Sequence, residues 1–307
     1  MTAARVLRLA RVSRTVADLA RTAAFYRDAL DFRVINEATH DGPAWGQLFG
    51  IHGARGQSTT MQLGAQQLEL IAFDPAGAPY PPHSQSADLW FQHIAIVVSD
   101  IDAAYSRRSA HAFTPISEGG PKCLPPATGS VIAYKFRDPD GHPLELIQFP
   151  AGTGNAMWQN TPGLFLGIDH SAIDVANSEE SIDFYTRLLG FRVASRSVNS
   201  GGAQQRLDGA SQDVVEVLAL QPGLLEPPHV ELLCYSKPVG RAISKTAKPN
   251  DIACDRLVLH VDELEKMVGT LRANRVEFLS PGMVAGFGDH DAALVRDPTG
   301  HLLLLCH

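Results

Sequence analysis

The sequence predicts an α+β protein assembled from four copies of one small βαβββ module. Two internal repeats and their periodicity lead there. LRLARVSRTVADLARTAAFYRDALDFRV (Leu7 to Val34) aligns without a gap on LGIDHSAIDVANSEESIDFYTRLLGFRV (Leu166 to Val193). The two share Val16/Val175, Phe25-Tyr26/Phe184-Tyr185, Leu30/Leu189 and Phe32-Arg33-Val34/Phe191-Arg192-Val193. A second repeat joins FRDPDGHPLELIQFP (Phe136 to Pro150) to VRDPTGHLLLLCH (Val295 to His307). Within each copy, β-branched runs of period two alternate with a helical apolar spacing.

Each element follows from its residues. The basic start, MTAARVLRLARVSRTV, lacks a continuous apolar stretch and aligns on the later repeat, so it reads as a first strand rather than a targeting segment. Ile182, Tyr185, Leu188 and Leu189 share one helical face, and the helix stops near the glycine of LLGF. LELIAF (Leu68 to Phe73) and VELLCY (Val230 to Tyr235) close the first kind of module with glutamate-bearing strands. The second kind opens with FQHIAIVVSDIDAAY (Phe91 to Tyr105) and DRLVLHVDELEKMV (Asp255 to Val268) and ends in the Asp-Pro-x-Gly-His segments. There proline fixes φ and glycine takes the positive-φ position of a tight turn. GFGDHDA (Gly286 to Ala292) is expected as a further turn. Pro/Gly/Ser-rich linkers run over 75–86, 150–163 and 236–251, and the middle one is the best boundary. The order is A-B-A-B: a domain over 1–150, with modules 5–74 and 88–150, then one over 164–307, with modules 164–236 and 254–307.

A formal charge of −7 argues against a nucleic-acid surface. The four cysteines show no paired spacing, which suits a reducing compartment and excludes a disulfide framework. No apolar run reaches membrane-spanning length. The expected location is the cytoplasm.

Four βαβββ modules with Phe-Tyr in the first helix and Asp-Pro-x-Gly-His before the last strand resemble the vicinal oxygen chelate superfamily, which includes glyoxalase I, extradiol dioxygenases, methylmalonyl-CoA epimerase and resistance proteins. The resemblance implies two cupped mixed β-sheets with helices outside, each cup formed by two modules. It also implies metal ligands on the first and last strands of each module. The first-strand position holds Arg11, His93, His170 and Arg256; the last-strand position holds Glu69, Glu145, Glu231 and Leu304. A carboxylate facing an apolar sheet is costly unless a cation or partner relieves it. Any one glutamate could be a rim residue or an arginine's partner. Three at one repeat position, with two histidines at the other, favour descent from a metal site.

Pairing decides the set. Sequential modules would give Arg11, Glu69, His93 and Glu145 in one cup and His170, Glu231, Arg256 and Leu304 in the other. Crossed pairing, modules two with three and one with four, gathers His93, Glu145, His170 and Glu231. The losses then fall in one cup, which makes crossed pairing the simpler reading. His142 and His301 accompany the turn in both repeats and read as structural. His260 reads as a strand-end residue. His40, His52, His83, His111, His229, His290 and His307 have no motif context.

The resemblance then implies a metal-dependent enzyme whose small substrate offers two vicinal oxygens to one divalent cation (Zn, Ni, Co, Fe or Mn). That cation stabilises a developing enolate, with Glu145 or Glu231 as general base. Two His with two Glu point to a glyoxalase-like lyase or isomerase. The alternatives are an extradiol-type dioxygenase, which needs a further catalytic histidine, and a non-catalytic binding or resistance protein. The expected partner is a small molecule, with no nucleic acid or membrane, and the chain is a monomer or homodimer.

Overall fold

The computed structural model describes residues 3–107, 110–111, 113–210, 214–287 and 290–307. Module one comprises β1 (Val6–Thr15), α1 (Leu19–Leu30), β2 (Arg33–His40), α2 (Pro43–Phe49), β3 (Arg55–Leu63) and β4 (Gln66–Asp74). Module two follows with β5 (Gln92–Val98), α3 (Ile101–Ser106), the short β6 (Thr114–Pro115) and β7 (Lys122–Cys123), β8 (Ile132–Arg137) and β9 (Pro143–Gln148). Module three has β10 (Phe165–Asp174), α4 (Ser178–Asp183) running into a π turn over Phe184–Leu188, β11 (Arg192–Ser200), α5 (Gly202–Asp208), β12 (Val214–Gln221) and β13 (His229–Lys237). Module four has β14 (Arg256–Val261), α6 (Leu264–Ala273), β15 (Val284–Phe287), β16 (His290–Arg296) and β17 (Leu302–Cys306). The Gly286–Ala292 stretch thus supplies strand ends on either side of Gly288 and Asp289, which lie outside the described residues, as do Met1 and Thr2 of the first-strand segment.

Local chemistry sets the helix ends. Asp18 and Asn177 accept from the backbone N–H groups of Arg21 and Glu180 at 3.0 and 3.1 Å, capping α1 and α4. Both helices stop on a left-handed residue, Gly190 at φ 78° and its counterpart Asp31 at φ 59°. The short α2 and α5 are additions to the expected module, and each ends on a left-handed glycine, Gly50 or Gly209.

The pairing of modules is crossed. One eight-stranded sheet runs β15-β16-β17-β14-β1-β4-β3-β2, and a nine-stranded sheet runs β11-β12-β13-β10-β5-β9-β8-β6, with β7 on β8. Modules one and four share the first sheet, and modules two and three share the second. The first strands meet antiparallel at each centre, β1 on β14 and β10 on β5, and each last strand lies parallel to its own first strand. The main core draws Val12, Ile94, Ile173 and Leu257 from the four central strands, together with Tyr26, Tyr185 and Met267 from the helices.

The Asp-Pro-x-Gly-His turns tie the sheets together. Asp138 Oδ1 accepts from the backbone of Asp140 and His142 at 2.9 and 3.0 Å, and Asp297 repeats this with Thr299 and His301, both at 2.9 Å. The other carboxylate oxygen of each accepts from Tyr26 or Tyr185 at 3.1 Å, across 112 residues in both cases. The Phe-Tyr motif of an A module is therefore the partner of the turn in the following B module. His142 and His301 reach the backbone carbonyls of Ile252 and Asp174 at 2.8 and 2.6 Å, so both bridge distant segments as structural residues. No helix among the described residues is long and apolar enough to cross a membrane.

Candidate metal centre

Strand register builds the site. Glu145 on β9 lies opposite Ala95, Ala95 opposite His170, and His170 opposite His229, making one row across β9, β5, β10 and β13. The neighbouring row carries His93, Ala172 and Glu231 across β5, β10 and β13. Ala95 and Ala172 are fully buried, and their small side chains leave room for the larger residues to lean together. One donor atom from each of His93, Glu145 and His170 falls within 4.8 Å of the others. All three residues are buried.

Glu231 stands one step away from this cluster. Its Oε2 is 3.5 Å from His170 Nε2, and its Oε1 is 3.5 Å from His229 Nε2. Its side chain is 20% exposed against 8% for Glu145, so it is the more accessible carboxylate. The four expected residues thus share one cup, with three in a tight group and the fourth beside it. His229, which sequence context left aside, belongs to the same neighbourhood, its ring 5.3 Å from that of His170. Its position two residues before Glu231 on one strand was the available signal.

Asp169 is the other residue that simple alternation misses. Consecutive strand residues face opposite ways, but β10 carries an extra residue against β5 between Ile168 and His170. This bulge lets both Asp169 and His170 line the cup. Asp169 accepts from His170 Nδ1 at 3.1 Å and from Trp158 Nε1 at 2.7 Å. With the proton held on Nδ1, the lone pair of His170 lies on Nε2.

The electrostatics ask for a cation. Glu145 Oε2 is 2.9 Å from His93 Nε2 and 3.8 Å from His170 Nε2, yet neither nitrogen has a hydrogen-bond partner. Burial pushes the Glu145 carboxyl up, but His170, His93 and Lys135 outweigh it and hold it well below the usual carboxylate range. Burial, with Lys135 beside it, lowers His93, which suits a neutral imidazole ligand. Burial also works against a charged His170, but Glu231, Asp169 and Glu145 raise it well above its ordinary value. Two orphaned imidazole nitrogens beside a buried carboxylate fit a divalent ion, which would satisfy all three without a buried proton.

A cavity of about 400 Å³ opens over these residues, walled by Leu124, Val131, Leu207 and Val215 among others. Lys135, opposite Glu145 on β8, pairs with Asp208 of α5 at 2.7 Å, and Ser117 Oγ donates to the Leu207 carbonyl at 2.7 Å. These contacts fasten α5 of module three over module two.

The other cup is filled. Leu304, 2% exposed, packs with Trp45, Phe49, Phe73 and Val258 in a separate apolar cluster. Arg11 lies 3.4 Å from Glu69. Arg256 is fully buried, donating to Thr15 Oγ1 at 3.0 Å and the Pro249 carbonyl at 2.8 Å, with its guanidinium over the rings of Phe49 and Phe73.

Known proteins agree with this architecture. The family model for the Glyoxalase/Bleomycin resistance protein/Dioxygenase superfamily matches residues 8–146 and 167–305. Glyoxalase I from Zea mays is similar in structure, with TM-score 0.64 and 18% identity, covering 99% of this chain and 92% of that one. A dioxygenase-like protein from Bacillus subtilis gives TM-score 0.59 at 12% identity, over 99% of this chain and 86% of its own. No curated protein matches. Matched over nearly its whole length in two repeats, the chain belongs to the glyoxalase/bleomycin resistance protein/dioxygenase superfamily.

Proposed function

We propose that this chain is a metal-dependent lyase or isomerase of the glyoxalase kind, acting on a small substrate with two vicinal oxygens. The observation that carries this reading is Glu231, a second carboxylate set against His170 but outside the His93–Glu145–His170 cluster. A divalent cation held by those three residues would polarise a substrate carbonyl. Glu231 is then the general base of choice, because it is the more exposed of the two carboxylates lining the cavity and Glu145 is confined between two imidazoles. It would take the proton from the carbon beside the carbonyl. The apolar walls would hold the body of the substrate and exclude water. The cations of the wall, Lys135 and Arg196, are engaged by Asp208 and by Glu216 and Glu179, which supports a substrate without a strongly anionic tail. Both modules of the cup come from one chain, so the reading requires no second copy.

A second reading is favoured by one specific feature. Two histidines and one carboxylate with open positions are the ligand set of non-haem iron oxygenases. His229 supplies a further histidine near the cluster. Ring cleavage of a catechol-like substrate is therefore the alternative.

One comparison separates them. Protein loaded in turn with Zn, Ni, Co, Mn or Fe(II) is incubated in D₂O with α-hydroxyketones and hemithioacetals, and in oxygenated buffer with catechols. Deuterium incorporation that is lost in Glu231→Gln while metal content stays near one per chain supports the lyase or isomerase. Oxygen uptake with Fe(II) alone, without deuterium exchange, supports the dioxygenase. Bound metal with neither reaction favours a binding protein.

A further inference from the structure

We propose that the linker between the two halves of the chain is part of the metal centre, with Trp158 as a positioning residue that holds Asp169 and, through it, His170. The inference rests on the centre described above and on no particular reaction there. Trp158 is the one buried residue between positions 150 and 163, at 4% exposure. Asn155 starts a 3₁₀ turn over Ala156–Gln159 by accepting from the Met157 N–H at 3.0 Å, and Thr161 Oγ1 donates to the Met157 carbonyl at 2.8 Å. The turn sets the indole against Ala95 and Val97 of β5, Ile147 of β9 and Leu166 of β10. Ile147 and the adjoining Val131 and Phe149 also line the cavity over Glu145, so the linker packs against the end of the same cup. Gly167 makes the seat: a Cβ there would meet two ring carbons of Trp158 at 2.8 and 2.9 Å, closer than carbon atoms pack.

Each oxygen of Asp169 then has its own donor. Oδ1 accepts from Trp158 Nε1 at 2.7 Å, and Oδ2 accepts from His170 Nδ1 at 3.1 Å. His229 Nδ1 stands 3.9 Å from the same Oδ2, so a carboxylate released by the indole has a second imidazole to turn toward. The indole N–H decides that competition in favour of His170. An orienting carboxylate in turn fixes which nitrogen of a ligating histidine faces the cation.

The first repeat provides an internal comparison. Its alignment places Arg8 opposite Gly167, Ala10 opposite Asp169 and Arg11 opposite His170. β1 keeps the bulge, between Leu9 and Arg11, that β10 has between Ile168 and His170. The bulge is therefore common to both sheets and is not what distinguishes the metal centre. The histidine, its carboxylate and the glycine that seats the indole occur together in one cup, and all three are replaced in the other.

Trp158→Phe keeps an aromatic ring in the seat and removes the N–H. Zinc binding by the full chain, measured by chelator competition, should weaken about tenfold, the lower end of the range for partners that orient a ligating imidazole. Asp169→Ala removes the acceptor, so adding Trp158→Phe to it should cost no further affinity. In isotope-labelled wild type, the indole N–H resonance of Trp158 should shift when zinc is added, while that of Trp45, in the other cup, stays in place. That readout needs no variant and decides even if the replacements fail to fold. Equal zinc affinity in wild type and Trp158→Phe, with only a lower urea midpoint, would mark a purely structural tryptophan and overturn the proposal. Additive losses in the double variant, or an unmoved Trp158 resonance, would overturn it too. Wild type that takes up no zinc would overturn the centre itself and this inference with it.

Discussion

His170 donates through Nδ1 to Asp169, its own neighbour in β10, at 3.1 Å. The bulge at Asp169 makes this contact possible, and Trp158 fixes the carboxylate from its other oxygen at 2.7 Å. Carboxylates that orient a ligating imidazole in this way typically change metal affinity about 10–100-fold when removed. Asp169→Asn should therefore weaken metal binding by about that factor in a chelator competition. Far-UV circular dichroism should be unchanged, because the strand itself stays paired. An affinity equal to wild type would show that His170 does not need this partner.

How much of the centre could be read in the sequence depends on which property placed each residue. His93, Glu145 and His170 were legible from repeat position alone, because register across β9, β5 and β10 follows the repeat. The crossed pairing was legible from where the replacements fell, Arg11, Arg256 and Leu304 all lying in one sheet. Asp169 was not, because alternation assigns it to the opposite face and only a bulge reverses that. The offset of Glu231 toward His229 is a matter of side-chain reach, which no pattern encodes. The helices α2 and α5 are seven residues each, too short for a periodicity to declare itself.

Phe49 tests the idea that the other cup has become ordinary core. Its ring, 1% exposed, lies 4.7 Å from Trp45 and 5.0 Å from Phe73, beneath Arg256. Phe49→Ala should cost about 3–5 kcal/mol in urea unfolding, the usual range for such truncations. Metal stoichiometry should not change. A loss of metal would mean that this cup still contributes to the centre.

The Lys135–Asp208 pair is a second stability element, and it fastens α5 over the cup that holds Glu145. Asp208 is buried and also accepts from Gln204 at 2.6 Å and Tyr235 at 3.0 Å. Burial disfavours the charged lysine, yet Asp208 and Glu145 raise it above its ordinary value. Removing one member of a buried pair strands the other, typically at about 3–5 kcal/mol. Asp208→Ala should lose about that much by denaturant unfolding, and Lys135→Met with Asp208→Leu should recover a substantial part. If the double variant is no more stable than the single one, the stranded charge is not the source of the loss.

His142 sets a pH dependence with a definite sign. Its Nδ1 donates to Asp138 at 2.9 Å and its Nε2 to the Ile252 carbonyl at 2.8 Å, so the folded state prefers the imidazolium. Burial opposes that charge, as does Arg14, but Asp138 and Asp255 raise the group above its ordinary 6.5. The unfolded chain titrates near that ordinary value, about 6.5. The folded protein therefore binds the extra proton more tightly, and this contribution to stability is complete below about pH 6.5. It is lost as pH rises through the higher folded value. Asp138 acts in the opposite direction: burial pushes it up, but His142 and Arg14 hold it far below the carboxylate range, so its contribution is lost only in strong acid. Above about pH 6.5 the histidine alone of this pair should matter, and its contribution to Tm should fall as pH rises. His142→Gln can donate but cannot titrate, so its Tm should start lower and vary less with pH. Other groups that titrate over the same range remain in both proteins, so the difference between the two curves isolates His142. Parallel curves would mean that His142 does not change its charge on folding.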